Sequence, residues 1–499
     1  MNLEKHFEQY RKNTIGNNAT FVSPYGKQTI IYADWIASGR LYQPIEDKMQ
    51  KLFGPMVGNT HSEASETGVT MTYAYHLSQK IIKEHVNANQ DDIILTAGSG
   101  MTRLVSKLQR IIGLKVPEST ANFCKLADKK IKDCANDLGN DKPIVFISHM
   151  EHHSNHTSWL ETIADVVVVP PNDQLLVCPN NLKKELEKYK DRTYKIGSFS
   201  AGSNVTGIVP PYKELCRLMH QYGGLCFLDF AATAPYNKID MHPKDDPDAS
   251  IDAIFFSPHK FLGGPGSSGV LIFNKKMYKN QSPDNPGGGT VTWTNMWQEY
   301  RYYDNIEIRE DGGTPAFLQT IRTALSIKLK EQMGVENIHA REKELLKIAF
   351  EEMEKISEVK ILADHVKDRI GAVSFYVTGI HHNLIVKILN DRFGIQVRGG
   401  CSCAGTYGHF LLNVDKNMSA AITDEINSGN LTHKPGWIRL SIHPTMSNNE
   451  LYFIIDALKQ TVANIDEWRN DYYFSEKTGE WYHMTTNKEK SEVLKWFEL

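Results

Sequence analysis

The sequence predicts an α/β protein whose largest part is a mostly parallel β-sheet flanked by helices. Between about residues 93 and 273, short apolar segments of strand length alternate with segments of helical spacing. This alternation is typical of a parallel sheet built from strand–helix–strand units. Leu225–Asp229 is apolar until its final carboxylate, as expected for a strand that is buried on both faces. Ligands of such sheets bind at the carboxyl ends of the strands.

The length of the chain predicts more than one domain. With 499 residues it exceeds what one small hydrophobic core organises. We expect an N-terminal segment (1–30) that packs on the small domain, a large domain (31–315), a small α+β domain (316–466) and an aromatic-rich C-terminal tail (467–499).

Composition and charge exclude several classes of function. The formal net charge is −3, so bulk charge does not indicate a nucleic-acid partner. No apolar run approaches the roughly 20 residues that span a membrane, and the amino terminus lacks the apolar core of a signal peptide. The seven cysteines are odd in number and scattered. This pattern favours a reducing compartment, and we therefore expect a cytoplasmic protein.

The stretch Phe255–Phe273 carries the clearest sign of chemistry. An apolar strand turns at Ser257 and presents His259 and Lys260 before a glycine-rich loop. A lysine held there can be desolvated and made nucleophilic. It could then form a Schiff base with an aldehyde cofactor, of which pyridoxal phosphate is the commonest. The alternative is a surface lysine on a glycine turn.

A competing motif lies within the same stretch. Gly264–Gly269 fits the G-x-G-x-x-G pattern of dinucleotide-binding proteins. That pattern requires a helix directly after it, whereas the β-like run Val270–Phe273 follows here. We therefore reject dinucleotide binding.

A second candidate element is the turn that follows the apolar segment Ile93–Leu95. Ser99 and Gly100 lie between this segment and a helical pattern, where free backbone N–H groups can bind an anion such as phosphate. A tight strand-to-helix connection without a ligand is the alternative. The preceding polar stretch, residues 54–68, contains His61 and is expected to face a ligand.

Four histidines follow the apolar strand Ile144–Ser148, in the segment His149–His156. Their spacing lacks the helical i, i+4 arrangement of H-E-x-x-H zinc sites. We expect no metal here and instead an imidazole stacked on an aromatic cofactor. At the end of another strand, Asp229 could pair with a protonated pyridine nitrogen or cap the next element.

A pair of cysteines lies in the glycine loop Val397–Gly405. Cys401 and Cys403 are separated by one residue and follow Arg398, whose charge would favour a thiolate. Three interpretations remain open: a redox couple, half of a metal site with His409, or a nucleophile with a companion. A single C-x-C is a weak metal signal.

Taken together, four motifs resemble the fold-type I pyridoxal-phosphate enzymes of aminotransferase class V, especially the cysteine desulfurase and selenocysteine lyase group. These motifs are Met150–Asn155, Ser203–Gly207, Phe256–Lys260 and Arg398–Cys403. The resemblance extends from about residue 32 to residue 458. It implies a large domain with a seven-stranded, mostly parallel sheet, a smaller α+β domain, pyridoxal 5′-phosphate as cofactor, and a homodimer.

The resemblance also implies roles for individual residues. Lys260 would hold the cofactor and shuttle protons, and Cys403 would take sulfur as a persulfide. The implied cofactor contacts are His152 on the ring face, Asp229 at the ring nitrogen, Asn204 near the ring hydroxyl, and Ser99, Gly100, Ser257, His259 and, across a dimer interface, Thr290 at the phosphate. The implied substrate contacts are Arg439, which would clamp the carboxylate, Asn204, Arg398 and His61.

The activity implied is removal of sulfur from L-cysteine, giving alanine and a Cys403 persulfide that passes to an acceptor protein. Three departures from the family pattern stand against it: Ala232 replaces a usual glutamine, Gly100 a threonine, and Cys401 a histidine. The first alternative is another class V activity, such as an aminotransferase, selenocysteine lyase, C–S lyase or epimerase. A metal-binding or redox-regulatory protein and a scaffold without turnover are further alternatives.

Overall fold

The computed structural model describes residues 2–60, 64–120, 135–485 and 491–498. The strands are β1 Thr20–Ser23, β2 Gly26–Thr29, β3 Ile31–Tyr32, β4 Asp92–Ala97, β5 Ile144–Ser148, β6 Asp165–Val169, β7 Lys195–Ser200, β8 Leu225–Asp229, β9 Ala253–Phe256, β10 Gly269–Asn274, β11 Val291–Thr294, β12 Tyr300–Tyr302, β13 Val359–Ile361, β14 Ala372–Val377, β15 Ile395–Gln396, β16 Arg398–Gly400, β17 Trp437–Ser441, β18 Tyr472–Ser475 and β19 Glu480–His483.

The α-helices are α1 Leu3–Lys12, α2 Gln43–Lys48, α3 Glu66–His85, α4 Met101–Ile111, α5 Thr157–Leu160, α6 Pro179–Lys188, α7 Tyr212–Gln221, α8 Ile306–Arg309, α9 Phe317–Met333, α10 Val335–Met353, α11 His382–Phe393, α12 Gly405–Leu411, α13 Lys416–Asn427, α14 Asn448–Ala463, α15 Ile465–Trp468 and α16 Ser491–Lys495. Short 3₁₀ turns lie at Gly54–Met56, Ala135–Asp141, His153–Asn155, Pro247–Ala249, Pro258–Lys260, Lys275–Met277 and Arg469–Asp471, and a π-turn lies at Met49–Phe53. None of the helices in the described part combines the length and apolar character that spanning a bilayer requires.

The central sheet has seven strands in the order β4-β10-β9-β8-β7-β5-β6. The strands from β5 to β9 pair in parallel, and β10 runs antiparallel to both of its neighbours. The predicted mostly parallel sheet is therefore confirmed. Strands β5, β7 and β9 are buried along their whole length, because helices cover both faces of such a sheet. The edge strand β6 is only half-buried.

The glycine run Gly264–Gly269 leads directly into β10. A strand rather than a helix follows the motif, so the structural context of a dinucleotide site is missing. Gly264 serves a different purpose: a Cβ there would lie 1.9 Å from the carbonyl oxygen of Pro258. The glycine therefore lets the loop close tightly over the turn that carries Lys260.

A second sheet, of four strands in the order β13-β14-β17-β16, forms with α10, α11 and α14 the smaller α+β unit. Its core lies on one face of this sheet, where alternate residues of β14 and β17 (Val373, Phe375, Ile438 and Leu440) pack against the helices. Helix α14 begins at a capping box, in which the side chains of Ser447 and Glu450 each accept a hydrogen bond from the other's backbone. This unit places β16 and β17 beside the carboxyl edge of the large sheet.

Both ends of the chain contact this second unit. Strand β3 pairs in parallel with β15, and the Asn448 backbone N–H of α14 donates a hydrogen bond to Glu4 of α1 at 3.1 Å. The tail forms the hairpin β18–β19, which the sequence did not predict, and Arg392 of α11 donates to Asp471 of the tail at 2.9 Å. The four-part division of the chain stays a prediction, since its borders follow from sequence patterns alone.

Candidate active site

A cavity of about 250 Å³ opens at the carboxyl edge of the large sheet, beneath β16 and β17. Ten of the predicted site residues line it: Gly100, His152, Asn204, Asp229, Ser257, His259, Lys260, Arg398, Cys403 and Arg439. They come from segments that are far apart in the sequence. The sheet topology brings them together, because parallel strands end at one common edge.

The floor of the cavity is built directly on the parallel strands. Asp229 is the last residue of β8, and Lys260 follows β9 after a single 3₁₀ turn. His152 lies four residues beyond the end of β5 and Asn204 four residues beyond the end of β7. Since these strands are buried and hydrogen-bonded on both sides, the residues that follow them have little freedom to move.

Lys260 is held where a charged amine is disfavoured. Burial lowers the pKa of Lys260 from 10.5 to about 8, and the nearby Asp229 carboxylate opposes this shift. Within the described part of the chain, its amine makes no hydrogen bond. Lys260 is partly exposed, and it lines the cavity. A lysine in this state is a competent nucleophile and proton acceptor near neutral pH.

Asp229 lies beside Lys260 and is also enclosed. Its Oδ1 accepts a hydrogen bond from the backbone N–H of Ala231 at 2.8 Å. Burial raises the pKa of Asp229, and the backbone bond and Lys260 partly offset the rise. The carboxylate therefore lacks a full complement of partners, and a cationic group in the cavity would stabilise its charged form.

His152 presents a neutral ring to the cavity. Burial, followed by the charge of Lys260, lowers the pKa of His152 to about 4. Its Nδ1 accepts a hydrogen bond from the backbone N–H of Ser154 at 3.1 Å. The Ser154 hydroxyl in turn lies 2.7 Å from that of Thr102. These contacts fix the plane of the imidazole, which can stack on a flat ligand.

The amino terminus of α4 forms one end of the cavity. The Met101 backbone N–H donates to Ser257 Oγ at 3.0 Å, and Gly100 precedes it without a side-chain cap. A Cβ at Gly100 would lie 3.2 Å from the same hydroxyl. Burial lowers the pKa of His259 to about 4, so its ring is neutral. Hydrogen-bond donors and a helix terminus, rather than fixed cations, characterise this end.

Two arginines and one aspartate lie at the other end. Arg439, 2% exposed, donates from Nη2 to Asp34 Oδ1 at 2.8 Å and from Nη1 to the Asn204 carbonyl at 3.0 Å. Arg398 Nε donates to Asp34 Oδ2 at 3.0 Å. The Nε of Arg439 is buried without a partner in the described part of the chain. Three of the five N–H groups of this guanidinium therefore take no part in these two bonds and remain for an incoming anion.

Asp34 is a site residue that the sequence analysis missed. It lies two residues beyond the end of β3 and joins the two arginines through its two carboxylate oxygens. A carboxylate close to the end of a short apolar strand was the available signal, similar to the one that singled out Asp229. It went unused because its partners lie 364 and 405 residues away along the chain.

The C-x-C pair lies in a four-residue turn over the cavity. The Ala404 N–H donates to the Cys401 carbonyl at 3.0 Å, and Ser402 and Cys403 both have positive φ, 50° and 56°. Cys403 is exposed and lines the cavity, whereas Cys401 is half-buried. The two cysteines therefore have different surroundings, and of the pair it is Cys403 that faces the cavity.

Three predicted residues are not brought to the cavity wall of this chain. Ser99 is exposed, since Gly98 turns the backbone at φ 59° just before it. Thr290 is fully buried and donates its hydroxyl to the Gly287 carbonyl at 2.6 Å. Neither lines the cavity. His61 lies outside the described residues.

The remaining histidines after β5 have structural partners. His149 Nε2 lies 3.0 Å from the Leu175 carbonyl, and His153 Nε2 accepts from the Gly405 N–H at 3.0 Å. Across the described ranges, no group of three or more His, Cys, Asp or Glu side chains is arranged to hold a metal ion.

The family of the chain follows from comparison with known proteins. A model of the aminotransferase class-V family matches residues 120–453. A protein named probable cysteine desulfurase 2, from Mycobacterium leprae, is 25% identical over 411 residues, covering 81% of this chain and 90% of that protein. A probable cysteine desulfurase from Halalkalibacterium halodurans is 25% identical over 381 residues, covering 75% and 84%.

Solved structures show the same fold. The apo cysteine desulfurase of Thermococcus onnurineus superimposes with a TM-score of 0.71 at 20% identity, covering 92% of this chain and 98% of that one. The cysteine desulfurase CsdA of Escherichia coli gives 0.68 at 19% identity, with the same coverage. These likenesses confirm the predicted fold-type I architecture. Since the family model spans most of the chain, this protein belongs to the aminotransferase class-V family of pyridoxal-phosphate-dependent enzymes.

Proposed function

We propose that the protein is a cysteine desulfurase that converts L-cysteine to alanine and leaves the sulfur as a persulfide on Cys403. The observation that carries this proposal is that Lys260 and Cys403 line one cavity from opposite sides. A lysine with a lowered pKa and a free thiol over the same space are the two groups that the reaction needs.

The residues present fit pyridoxal 5′-phosphate. The under-partnered carboxylate of Asp229 suits a protonated ring nitrogen, and the flat neutral ring of His152 suits the cofactor's face. Ser257 Oγ and the N-terminus of α4 suit the phosphate. Lys260 would hold the cofactor's aldehyde carbon through its amine. When bound, the cofactor supplies an electron sink for charge that develops at the substrate's Cα.

Each step of the proposed reaction uses a particular residue of this chain. Arg439 orients the substrate through its carboxylate, using the Nε that has no partner. Lys260 takes the proton from Cα and returns protons as alanine forms. The Cys403 thiolate attacks the substrate sulfur, so the C–S bond of cysteine breaks as the new S–S bond forms. Cysteine and a thiol thus give alanine and a persulfide, with atoms and electrons balanced.

Further expectations concern partners. A sulfur-acceptor protein would collect the persulfide from Cys403, whose exposure suits that transfer. A homodimer is expected from the family, with Thr290 reaching the partner's phosphate site. Because Thr290 is buried with its hydroxyl bonded to Gly287, this role requires the Pro286–Thr290 segment to rearrange on assembly. A cytoplasmic location stays a prediction.

Alanine release from L-cysteine by cofactor-loaded protein tests the proposal. We expect alanine from the wild type and a loss of at least about 100-fold in Cys403→Ser, with cofactor absorbance unchanged. Cys178→Ser is the matched control, since Cys178 is a free, part-exposed cysteine outside the cavity. Equal alanine production by wild type and Cys403→Ser would exclude the persulfide mechanism.

One observation favours a second class V activity. Ala232 lines the cavity with a methyl group, where the family's desulfurases usually carry a glutamine near the ring hydroxyl. The electronic tuning of the cofactor is therefore expected to differ. If cofactor-loaded wild type makes no alanine, transfer of the amino group to a keto acid, selenide release from selenocysteine, other C–S cleavage and epimerisation are the activities to assay.

A further inference from the structure

The turn that carries Cys403 has a backbone conformation that its residues do not favour. Ser402 and Cys403 occupy its two central positions, both in the left-handed region, at φ 50° and 56°. Two successive positive φ values in a turn normally select glycine or asparagine. A residue with a side chain is strained in that region, because its Cβ lies too close to the following carbonyl oxygen. Such a turn persists only where surrounding contacts hold it.

His153 supplies two of the contacts that hold the turn. Its backbone N–H donates to the Cys403 carbonyl at 2.8 Å. Its side-chain Nε2 accepts from the Gly405 N–H at 3.0 Å. The two bonds lie on either side of Ala404, the last residue of the turn. His153 therefore fixes the backbone both before and after this residue.

Two other residues hold the entrance of the turn. Asn204 Nδ2 donates to the Ser402 carbonyl at 2.7 Å, and Trp437 Nε1 donates to Ser402 Oγ at 3.2 Å. Asn204 and Trp437 are themselves buried. Asn204 follows β7 of the large sheet, and Trp437 is the first residue of β17 in the second sheet. His153 contacts the backbone at Cys403 and at Gly405.

The chemistry of the His153 ring suits this contact. Nε2 can accept the Gly405 N–H only while it is unprotonated, and burial lowers the pKa of His153. The ring is therefore neutral in the resting protein. His153 does not line the cavity, so it acts on the reaction only through the turn. It also follows His152 directly, so the segment that presents the stacking ring also holds the thiol.

We propose that His153 is a positioning residue that fixes the Cys401–Ala404 turn and so keeps the Cys403 thiol over the cavity. The proposal rests on the proposed function for its effect on catalysis, but its structural part stands on the two contacts alone. Loss of the Nε2 contact frees the Gly405 amide and lets the strained turn relax. The thiol then spends less time over the substrate sulfur.

The test compares His153→Ala with His153→Gln in the cofactor-loaded enzyme. Both variants keep the backbone N–H that bonds to Cys403, so they isolate the side-chain contact. In His153→Ala we expect hydrogen exchange at the Gly405 amide to rise by about tenfold, the effect of losing one hydrogen bond. We expect kcat for alanine release to fall by a similar factor, with KM and cofactor absorbance unchanged.

His153→Gln is the rescue variant, because its Oε1 can accept the Gly405 N–H from nearly the place of Nε2. It should restore most of the exchange protection and of kcat. His156→Ala is the matched control: His156 belongs to the same segment and contacts Thr406 but not the turn. It should leave Gly405 exchange and kcat within about twofold of wild type.

The measurements distinguish a failure of the positioning role from a failure of the proposed function. Unchanged Gly405 exchange in His153→Ala would overturn the positioning role, whatever the activity. An altered cofactor absorbance in both variants would assign His153 to the cofactor site instead and would equally overturn it. If wild type makes no alanine but exchange responds as expected, the proposed function fails while the positioning role is supported.

Discussion

The floor and the roof of the cavity are built in opposite ways. Asp229 and Lys260, on the floor, follow strands that are buried and paired on both sides. Cys403, in the roof, is exposed and lies in a left-handed turn held by a few point contacts. The groups whose chemistry depends on exclusion of water thus stand on the rigid sheet. The cysteine that the proposed reaction requires to meet both a substrate and an external acceptor stands on a turn.

The strongest test of this difference removes the floor lysine. In Lys260→Ala we expect alanine release to fall by at least about 1,000-fold, because the residue that moves the proton is lost. After borohydride reduction of the imine to a stable secondary amine, covalent retention of the cofactor through gel filtration in denaturant should be seen in the wild type and should disappear in the variant. Lys275→Ala is the control, since Lys275 forms only an exposed pair with Asp91. Retained covalent attachment in Lys260→Ala would contradict the assignment.

The arginine end of the cavity allows a matched pair of variants. Asp34→Asn leaves the charge of the buried Arg439 uncompensated, and we expect it to lower stability by about 3 kcal/mol. Arg398→Gln removes the ion pair between Arg398 and Asp34, in which the Arg398 side chain is 51% exposed. This variant should lose less than about 1 kcal/mol of stability. Urea unfolding of both variants gives their free energies of unfolding. Equal losses of stability in the two variants would contradict the expected difference.

The floor also predicts a pH dependence for cofactor attachment. Burial lowers the pKa of Lys260 from 10.5 to about 8, so the free amine forms below its ordinary range. At pH 7 about one molecule in ten carries the free amine, against about one in three thousand for an unshifted lysine. Attachment to apoprotein, followed by absorbance, should accelerate about tenfold per pH unit and level off near pH 8. An attachment rate that still rises at pH 10 would show that the pKa of Lys260 is not lowered.

The smallest expected effect on cofactor attachment belongs to the roof. Trp437→Phe removes one hydrogen bond to Ser402 Oγ and part of a fully buried side chain, so it should cost about 2 kcal/mol in urea unfolding. Cofactor attachment should not change, because the floor is untouched. Trp293→Phe, at an exposed hairpin position, is the control and should change neither quantity. A loss of cofactor attachment in Trp437→Phe would show that floor and roof are not separate.

The same contrast explains which parts of the molecule the sequence predicts. Strands such as β8 and β9 are apolar along nearly their whole length because both faces are covered, so their positions and the residues at their ends stand out. Asp34 and His153 do not stand out, because their roles depend on partners hundreds of residues away. Ser99 was predicted from its place in the turn between β4 and α4, but its side chain is exposed after the positive φ of Gly98. The terminal hairpins β1–β2 and β18–β19 carry too short an alternation to be recognised.

The link from Asp34 to Arg439 also bears on how the enzyme is made. Asp34 leaves the ribosome 405 residues before its partner. At ordinary rates of translation of 5–20 residues per second, that gap lasts about 20 to 80 s. A nascent chain therefore contains Lys260 and His152 before the cysteine loop and Arg439 exist. An interrupted chain would lack Cys403 and Arg439, two of the residues on which the proposed release of sulfur depends.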